Sequence, residues 1–141
     1  MVASLLEVLF IHVLRHWIDT EPEGATGWLG ALRDEPIGRA LVELHTAPAR
    51  RWTVASLARA VGLSRPVLAR RFAAKVGDTP LGYLRRLRIG LATRELSETD
   101  RPIAAIAHAV GYTSEFAFNR AFQRERGIPP GRYRKSARPA G

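Results

Sequence analysis

The chain has 141 residues, 22 Lys+Arg against 13 Asp+Glu, no cysteine and a net charge of +9. That length fits one domain or one domain with an appendage, and 46% hydrophobic with 25% charged residues is a globular rather than a disordered composition. The missing cysteine excludes disulfide frameworks, thiol nucleophiles and thiolate zinc sites.

Val2 to Ile18 is the most apolar stretch. Glu7, His12, Arg15 and His16 interrupt it, so it falls short of the ~20 predominantly apolar residues of a membrane span. It also lacks the basic start and small-residue cleavage site of a signal peptide. Leu6, Leu9, Val13 and Trp17 recur near helical spacing, with Leu5, Val8 and Phe10 broadening the stripe, which predicts an amphipathic helix. Two readings of that stripe stay open: packing on this chain's own core, or an interface with a second copy or a further domain. Asp19 to Gly27, with Pro22 and Gly24, is a predicted linker, followed by a short helical piece around Trp28 to Leu32.

From Asp34 onward the chain reads as helices and stops. Asp34 is the expected cap of a helix opening on Glu35 and Pro36, with Ile37, Leu41 and Leu44 inward and Pro48 beyond its end. Thr53 is the expected cap of Val54 to Val61, where Val54, Leu57, Ala58 and Val61 share a face and Gly62 stops the helix. Ser64 caps the next, with Arg65 and Pro66 in its first turn, where proline removes no hydrogen bond. Leu68 and Phe72 face inward there, and Gly77 ends it. Thr79 and Pro80 open a longer helix to about Leu96. Asp100 and Pro102 open Ile103 to Val110, stopped by Gly111. Ser114 starts a helix to about Arg126, Gly127 follows, and Pro129 and Pro130 open a last short helix through Tyr133. No segment alternates strictly with a two-residue period, so the fold class expected is all-α.

An internal repeat organises these elements. Ala58-Arg59-Ala60-Val61-Gly62 aligns with Ala107-His108-Ala109-Val110-Gly111 at an offset of 49. Ser64, Arg70, Phe72, Gly77, Pro80 and Tyr83 align with Ser114, Arg120, Phe122, Gly127, Pro130 and Tyr133 at an offset of 50, so the second turn carries one added residue. Each copy is a short helix, a glycine turn and a Ser-capped second helix, the layout of a helix-turn-helix. Such a unit puts the front of its second helix in the major groove of DNA. The outward candidates for base contact are Arg65, Pro66, Ala69 and Arg70 in the first copy, and Glu115, Phe116, Asn119 and Arg120 in the second. Leu68, Phe72, Phe118 and Phe122 are core by spacing, while Phe116 is either packed or free to meet a thymine methyl.

Charge follows the repeat. Residues 1–49 carry 3 basic and 7 acidic side chains, whereas residues 50–141 carry 19 and 6. Of the 22 basic residues 20 are Arg, whose planar fork matches phosphates and guanine edges. Charge alone does not separate a nucleic acid from a membrane surface as the partner.

The second copy, Ile103-Ala104-Ala105-Ile106-Ala107 with Val110-Gly111-Tyr112, Phe118, Arg120-Ala121-Phe122, Gly127-Ile128-Pro129-Pro130 and Tyr133-Arg134, resembles the AraC/XylS family of transcriptional regulators. The first copy is similar through Leu57-Ala58, Val61-Gly62-Leu63-Ser64, Leu68, Arg70-Arg71-Phe72, Gly77, Pro80 and Tyr83-Leu84. Arg88-Ile89 and Ala92 look like the family's linker-helix motif. The resemblance implies a DNA-binding domain over residues 34–136, with helix-turn-helix motifs at about 53–77 and 103–127. A connector or dimerisation segment (1–33) would precede it and a tail (137–141) follow. It implies a protein that binds two successive major grooves of a promoter and more often activates than represses. Double-stranded DNA and RNA polymerase are the implied partners, in the cytoplasm, with no cofactor and no membrane. Base contacts carried over are Arg65, Pro66, Ala69 and Arg70, then Glu115, Phe116, Ala117 and Arg120. Phosphate contacts are expected at Thr53, Ser64, Arg71, Lys75, Arg124 and Arg132. Most relatives carry an upstream sensor, often a cupin barrel, for which 33 residues are too few. The chain is therefore expected to be either a piece of a longer regulator or a short stand-alone version, with Leu6, Leu9, Val13 and Trp17 as the interface to a second copy or a sensor.

Rival classes find less support. His12 and His16 lie four residues apart, but Val13 stands where a zinc protease motif has Glu, so no metal site is expected. His45 and His108 stand alone. Gly24, Gly27 and Gly30 follow no strand and are no dinucleotide fingerprint, and capping explains Ser64 better than nucleophilic chemistry. The expectation is therefore a protein that is not an enzyme. A non-catalytic partner dimerising with a longer regulator through the N-terminal helix is the alternative, and Arg70, Arg120 and the basic charge argue against it. Arg88 is expected to pair with a carboxylate such as Glu95 or Glu125 rather than touch DNA.

Overall fold

The computed structural model describes residues 7–11 and 35–138. Residues 35–138 form α1 (Glu35–Thr46), α2 (Val54–Val61), α3 (Arg65–Val76), α4 (Pro80–Glu98), α5 (Ile103–Ala109), α6 (Glu115–Arg126) and α7 (Pro130–Ala137). Residues 7–11 are helical, and no strand occurs among the described residues. The chain divides into two compact units, residues 1–47 with 52–83 and residues 48–51 with 84–141, so α4 gives its first turn to one and the rest to the other. The expected linker at Asp19 to Gly27, the helical piece around Trp28 to Leu32 and the Asp34 cap lie outside the described residues.

In the first unit α1 packs on α2 and α3, and α2 on α3. Ile37, Leu41 and Leu44 are fully buried with Leu57, Leu68 and Phe72, as their helical spacing requires, whereas Val54 is only half-buried. Ala58 is buried at 2% exposure, where a larger side chain would hold the helices apart. Thr53 and Ser56 form a reciprocal capping box, each side-chain oxygen accepting the other's backbone N–H at 2.9 Å. Gly62 ends α2 with φ +75°. The Leu63 N–H returns to the Ala58 carbonyl at 2.9 Å, closing the turn as a left-handed glycine allows. Arg39 donates to the Val61 carbonyl at 2.9 Å, placing a cation at the negative end of the same helix.

The second unit repeats this plan. Its core joins Ile89, Ala92 and Leu96 of α4 to Ile106, Ala107, Val110, Phe118 and Phe122. Rings run through it from Tyr112 to Phe118 (5.6 Å), Phe122 (5.7 Å) and Tyr133 (5.5 Å). The Tyr112 N–H returns to the Ala107 carbonyl at 2.9 Å, the bond made by Leu63 in the first copy. Here the turn is crowded. Gly111 has φ +109°, and a Cβ on it would lie 2.9 Å from the Ala49 backbone and from the Arg88 guanidinium. Around Gly62 nothing lies within 4 Å. Gly111→Ala is therefore expected to destabilise by about 2–3 kcal/mol or more, and Gly62→Ala by about 1 kcal/mol. Urea unfolding of the two variants measures the gap, and equal midpoints would disprove the crowding.

Several expectations are corrected. Asp100 does not open α5; Pro102 occupies the cap position and no side chain caps that end. Asp100 instead pairs with Arg138. α5 closes at Ala109, one residue early, because Val110 has turned to φ −90°, ψ 0°. α4 continues to Glu98 rather than Leu96, and α7 runs through Ala137 rather than Tyr133. Among the described residues Arg88 pairs with no carboxylate: it donates to the carbonyls of Pro48 and Arg50, each at 2.8 Å, and lies over the Tyr112 ring. Glu95 and Glu125 are taken by Arg101 at 3.3 Å and Arg85 at 3.1 Å. Of the residues expected at an interface, Leu9 is 58% exposed, and Leu6, Val13 and Trp17 lie outside the described residues; the neighbouring Ile11 is buried.

Residues 7–11 meet α1 at His45. Its Nε2 lies 2.5 Å from the Tyr83 hydroxyl, and its Nδ1 lies 3.9 Å from a Glu7 carboxylate oxygen. Burial lowers the His45 pKa to about 4, so the imidazole is neutral at pH 7 and its approach to Glu7 is no ion pair there. The folded value lies below the ordinary 6.5, so the unfolded chain binds the proton first. The stability gained by keeping this ring neutral is full above pH ~6.5 and is lost as the pH falls towards 4, by up to about 3 kcal/mol. A ring titration by NMR with its midpoint near 6.5 would contradict this.

Candidate nucleic-acid interface

Each recognition-type helix is held by its inner face and its cap. Leu68 and Phe72 fix α3, and Phe118 and Phe122 fix α6, all at 0% exposure. The Ser64 hydroxyl accepts the Val67 N–H at 3.4 Å, and the Ser114 hydroxyl accepts the Ala117 N–H at 3.0 Å. Both hydroxyls keep their own O–H to donate. The first-turn N–H groups left without a helical partner are that of Arg65 on α3, where Pro66 has none, and those of Glu115 and Phe116 on α6.

The outer faces differ. On α3, Arg65, Pro66, Ala69 and Arg70 are all exposed, so two guanidiniums share the front of a helix whose dipole is already positive there. On α6, Glu115, Phe116 and Arg120 are exposed, while Ala117 and Asn119 are half-buried. The Asn119 side-chain oxygen is enclosed and has no hydrogen-bond partner, so this residue does not present its acceptor outward. Phe116 is 70% exposed, so it is not packed into the core. Glu115 complements the α6 dipole and supplies an acceptor, where α3 has Arg65, a donor.

Thr53, Ser64, Lys75, Arg124 and Arg132 are exposed and Arg71 is half-buried. Thr53 has its backbone N–H engaged in the capping box, so only its hydroxyl proton remains to offer. Arg51 is exposed two residues before that cap. The Arg120 guanidinium lies 5.8 Å from the centre of the Phe116 ring, a pairing whose four-residue spacing was legible in the sequence. Among the described residues no group of His, Asp and Glu could hold a metal ion, and His12 and His16 lie outside them. No described helix is long and apolar enough to cross a membrane.

Comparison with known proteins places this arrangement. A family model described as a helix-turn-helix domain matches residues 57–136. The chain is 50% identical over 135 residues to a Streptomyces antibioticus protein named as an AraC-like transcription regulator, covering 96% of this chain and 45% of that one. It is 38% identical over 133 residues to the HTH-type transcriptional regulator AlkR of Acinetobacter baylyi, covering 94% and 43%. The chain thus spans less than half the length of these relatives. Among solved structures, the DNA-binding domain of AdpA, a global transcriptional factor in complex with a target DNA, superimposes with a TM-score of 0.70 at 28% identity, over 75% of this chain and 98% of that one.

Proposed function

This chain belongs to the AraC-type helix-turn-helix family of transcription regulators, and on that premise we propose that it binds a specific double-stranded DNA site and regulates transcription from it. The observation that carries the reading is the repeated, Ser-capped helix with a buried Leu or Phe inner face and exposed arginines outside, Arg65 and Arg70 on α3 and Arg120 on α6. Two such helices, each laid in a major groove, would read two successive grooves of a promoter. Arg65, Pro66, Ala69, Arg70, Glu115, Phe116 and Arg120 would face base edges, with Asn119 at the flank. Thr53, Ser64, Arg71, Lys75, Arg124 and Arg132 would hold phosphates. Residues 34–136 form the DNA-binding domain on this reading, and residues 1–33 the connector, whose interface with a second copy or a sensor includes Leu9.

The family is one of regulators rather than of enzymes, and in this proposal the protein carries no catalysis. It acts in the cytoplasm, with RNA polymerase as partner and activation as the outcome. Selection of bound sites from random DNA tests the core of the reading, and failure to enrich any sequence would overturn it. In the same assay format Arg124→Ala is expected to weaken all sequences alike and to flatten the slope of log affinity against log salt by about 0.9. An unchanged slope would remove Arg124 from the phosphate contacts.

A further inference from the structure

Among the described residues Phe116 is the most exposed of the large apolar side chains, at 70%. The second unit does not need it for packing, because the core residues of α6 are Phe118 and Phe122. A single exposed aromatic side chain is ordinary on a protein surface; what sets this ring apart is its place at the front of a recognition-type helix, where a base edge can meet it. One turn later Arg120 lies over the same ring at 5.8 Å. That stack restrains a side chain that otherwise loses considerable freedom on binding, and it leaves the guanidinium edge open to donate to a partner.

We propose that Phe116 and Arg120 act as one reading unit, Phe116 closing on the C5-methyl of a thymine while Arg120 donates to O6 and N7 of a guanine in the adjoining base pair. The α6 half of the DNA site then contains a thymine beside a guanine. The proposal rests on the function proposed above and names the bases that its second recognition helix selects. The chemistry is directional. The thymine methyl is the apolar group of the major groove, and a phenyl ring has no donor or acceptor with which to read any other feature there. Arginine matches the paired acceptors of guanine. The contact is particular to this copy: α3 has Pro66 where α6 has Phe116, so Arg70 has no ring beneath it. Asn119 has its acceptor enclosed, and Glu115, Phe116 and Arg120 are the exposed side chains of the first half of α6.

The test selects sites from random DNA with the intact chain, wild type and Phe116→Ala, and then measures binding to the best wild-type site with deoxyuridine replacing the thymine. Phe116 is exposed, so the variant keeps its fold, which circular dichroism checks. Wild type is expected to enrich a thymine beside a guanine and to bind the deoxyuridine site about fourfold more weakly, the value of one buried methyl. Phe116→Ala is expected to bind both sites equally and to keep the guanine preference while losing that for thymine. An enriched site without the thymine, equal wild-type binding to thymine and deoxyuridine, or an unchanged thymine preference in Phe116→Ala overturns the proposal and leaves the function standing. Failure to enrich any site overturns both.

Discussion

Phe118→Ala is expected to destabilise the second unit by about 3–5 kcal/mol. Phe118 is fully buried and is the inner link of the ring series from Tyr112 to Tyr133, touching Tyr112 at 5.6 Å and Phe122 at 5.7 Å. Truncation removes its transfer free energy and leaves a cavity that helices pinned by caps and glycine turns cannot fully collapse. A domain with a total stability of about 5–15 kcal/mol does not absorb such a loss comfortably. Urea unfolding followed by circular dichroism gives the loss, and NMR dispersion of residues 84–138 locates it. A change below 1 kcal/mol would mean that this ring series is not the core of the unit.

The largest expected effect on binding comes from the arginines. Arg70→Ala and Arg120→Ala should each cost about 1–3 kcal/mol for the specific site, a loss of about 5- to 150-fold, and relax base choice at one position. Both side chains are exposed, so stability should change by less than about 0.5 kcal/mol. Affinity for unrelated DNA should fall far less than affinity for the site. Fluorescence anisotropy with the selected site and a scrambled one separates the two quantities. A variant that holds the selected site as tightly as wild type would remove that arginine from base reading.

How far the sequence could be read depended on whether a feature was local. The caps at Thr53, Ser64 and Ser114, the stops at Gly62, Gly77 and Gly127 and the inner faces of α3 and α6 follow from residues within one turn of each other. All of them are present. Arg88 could not be read this way, because its partners, the Pro48 and Arg50 carbonyls, lie about forty positions earlier and are backbone groups that no residue type advertises. The register of residues 7–11 was equally hidden. Apolar residues at 5, 6, 8, 9, 10 and 11 fit several faces, and the contact with His45 decides that Ile11 turns inward while Leu9 does not. Asp100 misled because it has a capping side chain close to a helix start, yet two residues separate it from Ile103 and Pro102 takes the cap position. On the outer faces, residue type and spacing named the exposed arginines. Asn119 lies on the boundary of the helix face, where a small rotation decides exposure.

The separation of duties on α3 and α6 has a consequence for how such a protein can change. Everything that holds each helix in place lies on its inner face or at its two ends: a hydroxyl cap, a pair of buried apolar side chains and a left-handed glycine. The outward positions 65, 66, 69 and 70, and 115, 116 and 120, contribute little to that framework. New side chains can be exchanged there independently of folding, in nature or in the laboratory, so a library confined to those positions should yield many folded proteins with different DNA preferences. The residues at 64, 68, 72 and 77, and at 114, 118, 122 and 127, form the fixed mount on which any such reading head is carried.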